Sequence, residues 1–374
     1  MTPVYAIATN ITSSLGNTTA ANWQSVASGG IGVKQYEDAS LSNTPFFASR
    51  IELAIWQGIQ AQTKGEKVLS PFEQLAVYCA RLALQECDIE LENTIVILST
   101  TKGNIEWLGQ VPDERTMLSA SADIIAGQLG IGNKPVVISH ACVSGVVALM
   151  HGARLLEAGK YKHAVVIGCD RFSRFVLNGF QSFQAIADEP CRPFDVARKG
   201  INLGEAAATI VLSVNNDGAL AQVLSGSTSN DANHISGPSR TGEELALAIN
   251  RALSQANVPA SKIDMISAHG TATLYNDEME AKAFAVAGLS QKPVHSFKGY
   301  VGHTLGAAGV VETAMIIEAM RLQQLIPSAG YENIGVTEPL NITKKMQAAE
   351  INYVLKTASG FGGCNAALVV GRVA

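Results

Sequence analysis

The chain has 374 residues, 47% hydrophobic and only 16% charged, with a net charge of −5 and a pI near 5.8. Such a chain buries a large core and exceeds one small domain, so two similar-sized units are the natural organisation. The acidic balance and the absence of a Lys/Arg block speak against nucleic acid, and no apolar run approaches a membrane span. The opening Met1-Thr-Pro-Val-Tyr-Ala-Ile-Ala lacks the features of a signal peptide, so a cytoplasmic protein is expected.

Strand-like and helical segments alternate along the chain. Residues 94–98 read as a strand, 120–130 as a helix, 135–139 as a β-rich run and 144–158 as a long apolar helix. Strands follow at 163–167 and 207–214. Turn chemistry at 213–219 marks a half-boundary, dividing the chain into residues 1–215 and 216–374. Beyond it come a helix at 243–255, a strand at 264–268, a helix at 278–287, a strand at 294–297 and a helix at 307–322. Strands at 352–357 and 365–371 close the pattern. This alternation predicts a sheet with helices on its faces.

The halves share a unit. A strand leads to a loop with a reactive residue, Cys142 or His303, and then to a small-residue helix. A Gly-led strand follows at nearly the same offset, beginning at Gly204 in one half and Gly363 in the other. The repetition suggests a duplicated α/β unit.

None of the six cysteines forms a Cys-x-x-Cys pair or stands at zinc-ligand spacing, and a disulfide framework is not expected. Cys79, Cys87 and Cys169 lie in apolar patterns as core thiols. Cys142 differs, because a strand runs into a tight turn ahead of a helix starting near Ser144. A cysteine there faces unpaired N–H groups and the positive end of the helix dipole, which favour the thiolate. A buried strand delivers His269 into a Gly/Thr loop, and Lys298 and His303 precede the helix at 307–322. Singly each histidine reads as structural, but reactive side chains in three segments, each at a strand end beside glycines, together suggest a site.

The segments Ala141-Cys-Val-Ser-Gly145, Arg192-Pro-Phe-Asp-Val-Ala-Arg-Lys-Gly200, His269-Gly-Thr-Ala-Thr273, Lys298-Gly-Tyr-Val-Gly-His303 and Gly360-Phe-Gly-Gly-Cys-Asn365 carry a resemblance. In that order they resemble the Cys-His-His β-ketoacyl-acyl-carrier-protein synthases of the thiolase-like superfamily, over nearly the whole chain. The resemblance implies a thiolase-like α/β fold, two related halves packed as layered αβαβα. It implies a decarboxylative Claisen condensation of an acyl group on Cys142 with a malonyl unit, in fatty-acid or polyene/polyketide synthesis. His269 and His303 would stabilise the enolate, and Lys298 would orient and tune them. Thr271, Thr273, Phe361 and Gly362 would contact substrate, with Phe361 as a gate. Glu312 would support.

The implied partner is an acyl carrier protein whose phosphopantetheine carries the substrates, with no metal and no bound cofactor. Lys67, Arg198 and Lys199 are candidate docking cations. A homodimer, or a heterodimer with a related subunit, is expected. His140 and Cys364 depart from the family pattern, His140 as an interface residue or a perturber of the nucleophile, Cys364 as a packing residue. The segment 103–120 is short, which leaves acyl length open. The alternative reading is a non-catalytic, chain-length-factor-like partner, which an intact Cys142 opposes.

Overall fold

The computed structural model describes residues 2–65, 68–110, 112–232 and 237–373. Five strands of the main sheet precede residue 215: β1 Val4–Thr12, β2 Thr94–Ser99, β3 Val136–Ile138, β4 His163–Asp170 and β5 Ala206–Ser213. Six more follow: β6 Ala221–Asn230, β7 Met265–Ser267, β8 Pro293–His295, β9 Asn341–Ile342, β10 Tyr353–Gly360 and β11 Cys364–Gly371. All join one sheet in the order β9-β8-β7-β10-β11-β6-β1-β5-β4-β2-β3.

The order contains the same pattern twice. With the two-residue edge strand β9 set aside, the third, second, fourth, fifth and first strands of each half lie side by side. In both, the second strand pairs in parallel with the third and fourth, and the fifth pairs antiparallel with the fourth and the first; β9 adds to β8 in parallel. The halves meet where Val4–Ala6 of β1 pairs with residues 221–223 of β6.

Helices cover both half-sheets and separate them. α1 Pro71–Leu84 starts with a full capping box between Ser70 and Glu73, and with α2 Leu118–Gln128 it packs on the outer face of the first half. α4 Arg174–Ser182 follows β4, and α5 Glu243–Ala256 and α6 Leu274–Val286 pack on the outer face of the second half. Between the half-sheets lie α3 Ser144–Glu157 and α7 Ala308–Leu322, which touch strands of both. Small residues make this central layer possible: a Cβ on Gly145 would stand 2.7 Å from Gly309 Cα. The result is five layers, αβαβα.

Sequence patterning finds most apolar strands and long helices to within a few residues, but misses β1, β6, β9, α1 and the helix Arg174–Ser182. The β6 segment Ala-Gln-Val-Leu-Ser-Gly-Ser-Thr-Ser-Asn is too polar to look like a central strand. Cys79 and Cys169 are core thiols as expected, whereas Cys87 is only partly buried.

Candidate active site

The site forms where equivalent ends of the two halves converge. Cys142 follows β3, the third strand of the first half, and His303 follows β8, its counterpart in the second. His269 leaves the end of β7, and Phe361 sits in the turn between β10 and β11. Ligands of open α/β sheets gather at such carboxyl ends. The turn before Cys142 is tight enough to put Ala141 at φ 44°, and no side chain caps α3.

One donor atom from each of Cys142, His269 and His303 lies within 4.8 Å of the other two. The imidazole rings meet edge to face with centroids 5.2 Å apart. Leu305 N–H donates to Nδ1 of His303 at 3.1 Å, so the neutral ring carries its proton on Nε2, a buried atom with no protein partner. Three such side chains also match the span of a metal site. However, His303 offers an N–H here, and giving Nε2 a lone pair would drive Nδ1–H against the Leu305 N–H. His303 is set to donate to an oxygen.

A buried ion cluster stands behind the rings. Glu312 of α7 takes Lys298 Nζ at 2.8 Å on one oxygen and Lys356 Nζ at 2.6 Å on the other. Lys298 also donates to the His269 carbonyl at 2.5 Å. Glu280 of α6 accepts the backbone N–H of His269 at 2.8 Å and of Gly270 at 2.6 Å, fixing the loop that aims the ring. Burial, reinforced by Lys298, depresses His303 to about 3 and holds His269 well below its ordinary range. Burial raises Glu312, but the two ammoniums overcome that and bring it to about 2.

The thiol behaves differently from the expectation for a helix N-terminus. Burial pushes Cys142 up to about 11, against the fields of Lys298 and Lys102 and a hydrogen bond from the Phe361 backbone. Desolvation outweighs those pulls, so the resting group is a thiol, which corrects the thiolate reading.

A cavity of about 410 Å³ opens onto Cys142, both histidines, Thr271, Thr273 and Phe361. The two threonine hydroxyls lie 2.8 Å apart. Phe361 is 38% exposed, stacked on Phe180 and edge-on to Phe183. Lys298 stays fully buried behind the rings. Gly362 is exposed and does not line the cavity; its carbonyl accepts from Asn230 at 3.2 Å. Lys199 lines the rim near Asp188 and Glu189. Arg198 corrects the docking expectation: it is 7% exposed, its guanidinium spent on the carbonyls of Asp195, Gly335 and Leu274. Lys67 lies outside the described residues. Cys364 is buried against the Gly360 and Phe361 carbonyls, and His140 is exposed.

Sequence reasoning missed Lys356 and Glu280. The signal for Lys356 was a lysine inside the apolar run Tyr353-Val-Leu-Lys-Thr-Ala, where a charge is buried only with a partner.

The description "Beta-ketoacyl synthase, N-terminal domain" matches residues 1–217, and "Beta-ketoacyl synthase, C-terminal domain" matches residues 220–332. The chain is 28% identical to a 3-oxoacyl-[acyl-carrier-protein] synthase 2 of Vibrio cholerae over 406 residues, covering 96% of this chain and 97% of the relative. A β-ketoacyl synthase from Burkholderia phymatum superposes with a TM-score of 0.87 at 25% identity, covering 100% of both chains. A ketosynthase in complex with its chain length factor, from Xenorhabdus doucetiae, shares the fold with a TM-score of 0.84 at 24% identity, covering 100% of this chain and 98% of that one.

Proposed function

The chain belongs to the β-ketoacyl synthase family, and from that premise we propose that it is an elongating 3-oxoacyl-[acyl-carrier-protein] synthase. The convergence of Cys142, His269 and His303 on one cavity is the observation that carries this reading. The Cys142 sulfur attacks the thioester of an acyl carrier. A C–S bond forms to Cys142, the pantetheine C–S bond breaks, and the thiol proton passes to the departing sulfur. Backbone N–H groups of Cys142 and Phe361 hold the oxyanion.

A malonyl unit on a second carrier then enters. Its thioester oxygen accepts hydrogen bonds from His269 and from Nε2–H of His303, which stabilise the enolate as CO2 leaves. The enolate carbon bonds to the acyl carbonyl, the bond to Cys142 breaks, and the sulfur takes up a proton from solvent. Lys298 positions the histidines, and Thr271 and Thr273 hold the pantetheine arm. The carrier docks near Lys199, and the protein works in the cytoplasm as a dimer, with itself or a related subunit. No helix among the described residues is long and apolar enough to cross a membrane.

Intact mass after incubation with acyl carriers tests this directly. An acyl adduct absent from Cys142→Ala supports the reading. A folded protein that gains no adduct from any donor points to the chain-length-factor-like alternative.

A further inference from the structure

Beneath the imidazoles, Lys356 points inward from β10 and is fully buried. Its Nζ lies 2.6 Å from Glu312 Oε2, 2.6 Å from the Thr357 carbonyl, 3.2 Å from the Ser267 carbonyl and 3.4 Å from the Ala268 carbonyl. All four neighbours accept, so the nitrogen is held as a donor. Lys298 mirrors it, binding the other Glu312 oxygen and the His269 carbonyl. Two lysines thus tie three consecutive carbonyls, at residues 267, 268 and 269, to one carboxylate. Those residues are the exit of β7 that carries His269.

We propose that Lys356 is a positioning residue for the condensation, anchoring the exit of β7 and, with Lys298 and Glu312, setting the direction and electrostatic surroundings of both imidazoles. The inference rests on the proposed role of His269 and His303 as donors to the thioester oxygen. Stability alone gives little reason for a lysine here, because well-packed apolar side chains commonly replace buried ion clusters without loss.

The charge balance says what Lys356 does. The groups around the rings are Lys298, Lys356 from β10, Glu312 from α7, Glu280 and Asp277 from α6, His295 from β8 and Cys142. The two ammoniums offset Glu312 and Glu280. Without Lys356, one ammonium faces those carboxylates, and a protonated imidazole becomes easier to form. For His303 that proton would have to sit on Nδ1, where the Leu305 N–H already points.

The test compares Lys356→Met and Lys356→Arg with wild type, reading acylation of Cys142 and condensation separately against pH. In Lys356→Met, acylation should stay near wild type. Condensation kcat should fall about 10- to 100-fold, less than for loss of a direct donor, and its acid limb should move to higher pH. Lys356→Arg should restore the acid limb. An unchanged kcat, or a lower kcat with an unmoved pH profile, overturns the inference as no more than a structural role. If Lys356→Met does not fold, imidazole 13C shifts in the wild type decide: both rings neutral down to about pH 5 supports the inference, and either ring titrating near its ordinary value overturns it. Wild-type protein that never condenses would instead defeat the proposed function, and the 13C titration would still judge the charge environment.

Discussion

The Leu305 N–H and the charge cluster together set what His303 can do. With Nδ1 occupied as an acceptor, the ring presents Nε2–H to the cavity, and its depression to about 3 keeps it neutral at any physiological pH. Condensation by preformed acyl-enzyme should therefore show no loss with an apparent pKa near 6.5 as pH falls from about 8 to about 5. A single-turnover pH profile checks this, and a fall centred near 6.5 would assign the rate to a titrating histidine. The thiol should show the opposite limb. Because burial lifts Cys142 to about 11, its alkylation by iodoacetamide should keep rising with pH above 8. A plateau at neutral pH would mean a preformed thiolate.

Among the elements, α7 carries the most concentrated demands. Its Glu312 serves two buried lysines, so Glu312→Gln leaves two ammoniums without a counter-charge. That should cost about 3–5 kcal/mol of stability, measured by denaturant unfolding. The pH dependence has a definite sign. Glu312 is depressed in the fold, so its contribution is complete above its ordinary value of 4.5 and is lost as pH falls toward about 2. His303 adds to the acid loss, since its folded value also lies below its unfolded one. One turn earlier in the helix, Gly309 lets α3 and α7 touch, with a Cβ there 2.4 Å from the Val146 nitrogen. Gly309→Ala should destabilise by about 1–3 kcal/mol through overpacking, seen as a lower Tm. Elements of this kind were legible in the sequence. The small-residue run at 307–322 and the strand before Cys142 announced themselves by composition. The Cys142 ionisation was not legible, because helix-end electrostatics can be read from neighbours in sequence, whereas desolvation depends on groups brought in from the other half of the chain. What Lys356 pairs with was hidden for the same reason: its partners Glu312 and Ser267 are distant in sequence.

For the whole molecule, the repeated strand order explains why the reactive groups come from both halves. The third strand of each half leads into a helix of the central layer, one delivering a nucleophile on the way and the other an imidazole. The same architecture leaves β3 at the edge of the sheet, with Val136, Val137 and Ile138 only half-buried and His140 exposed beyond them. An apolar edge strand invites a partner strand. Sedimentation should therefore show a dimer, and Val137→Lys should shift it toward monomer. A wild-type protein that stays monomeric at micromolar concentration would place the edge under some other cover.

The most direct test of the division of labour is the discharge of preformed acyl-Cys142 by malonyl carrier protein in wild type, His269→Ala and His303→Ala. The account predicts that all three acylate, that wild type releases a β-ketoacyl product with CO2, and that each histidine variant stays acylated with condensation slowed by about 10²–10³ or more. Discharge at the wild-type rate without either imidazole would contradict it.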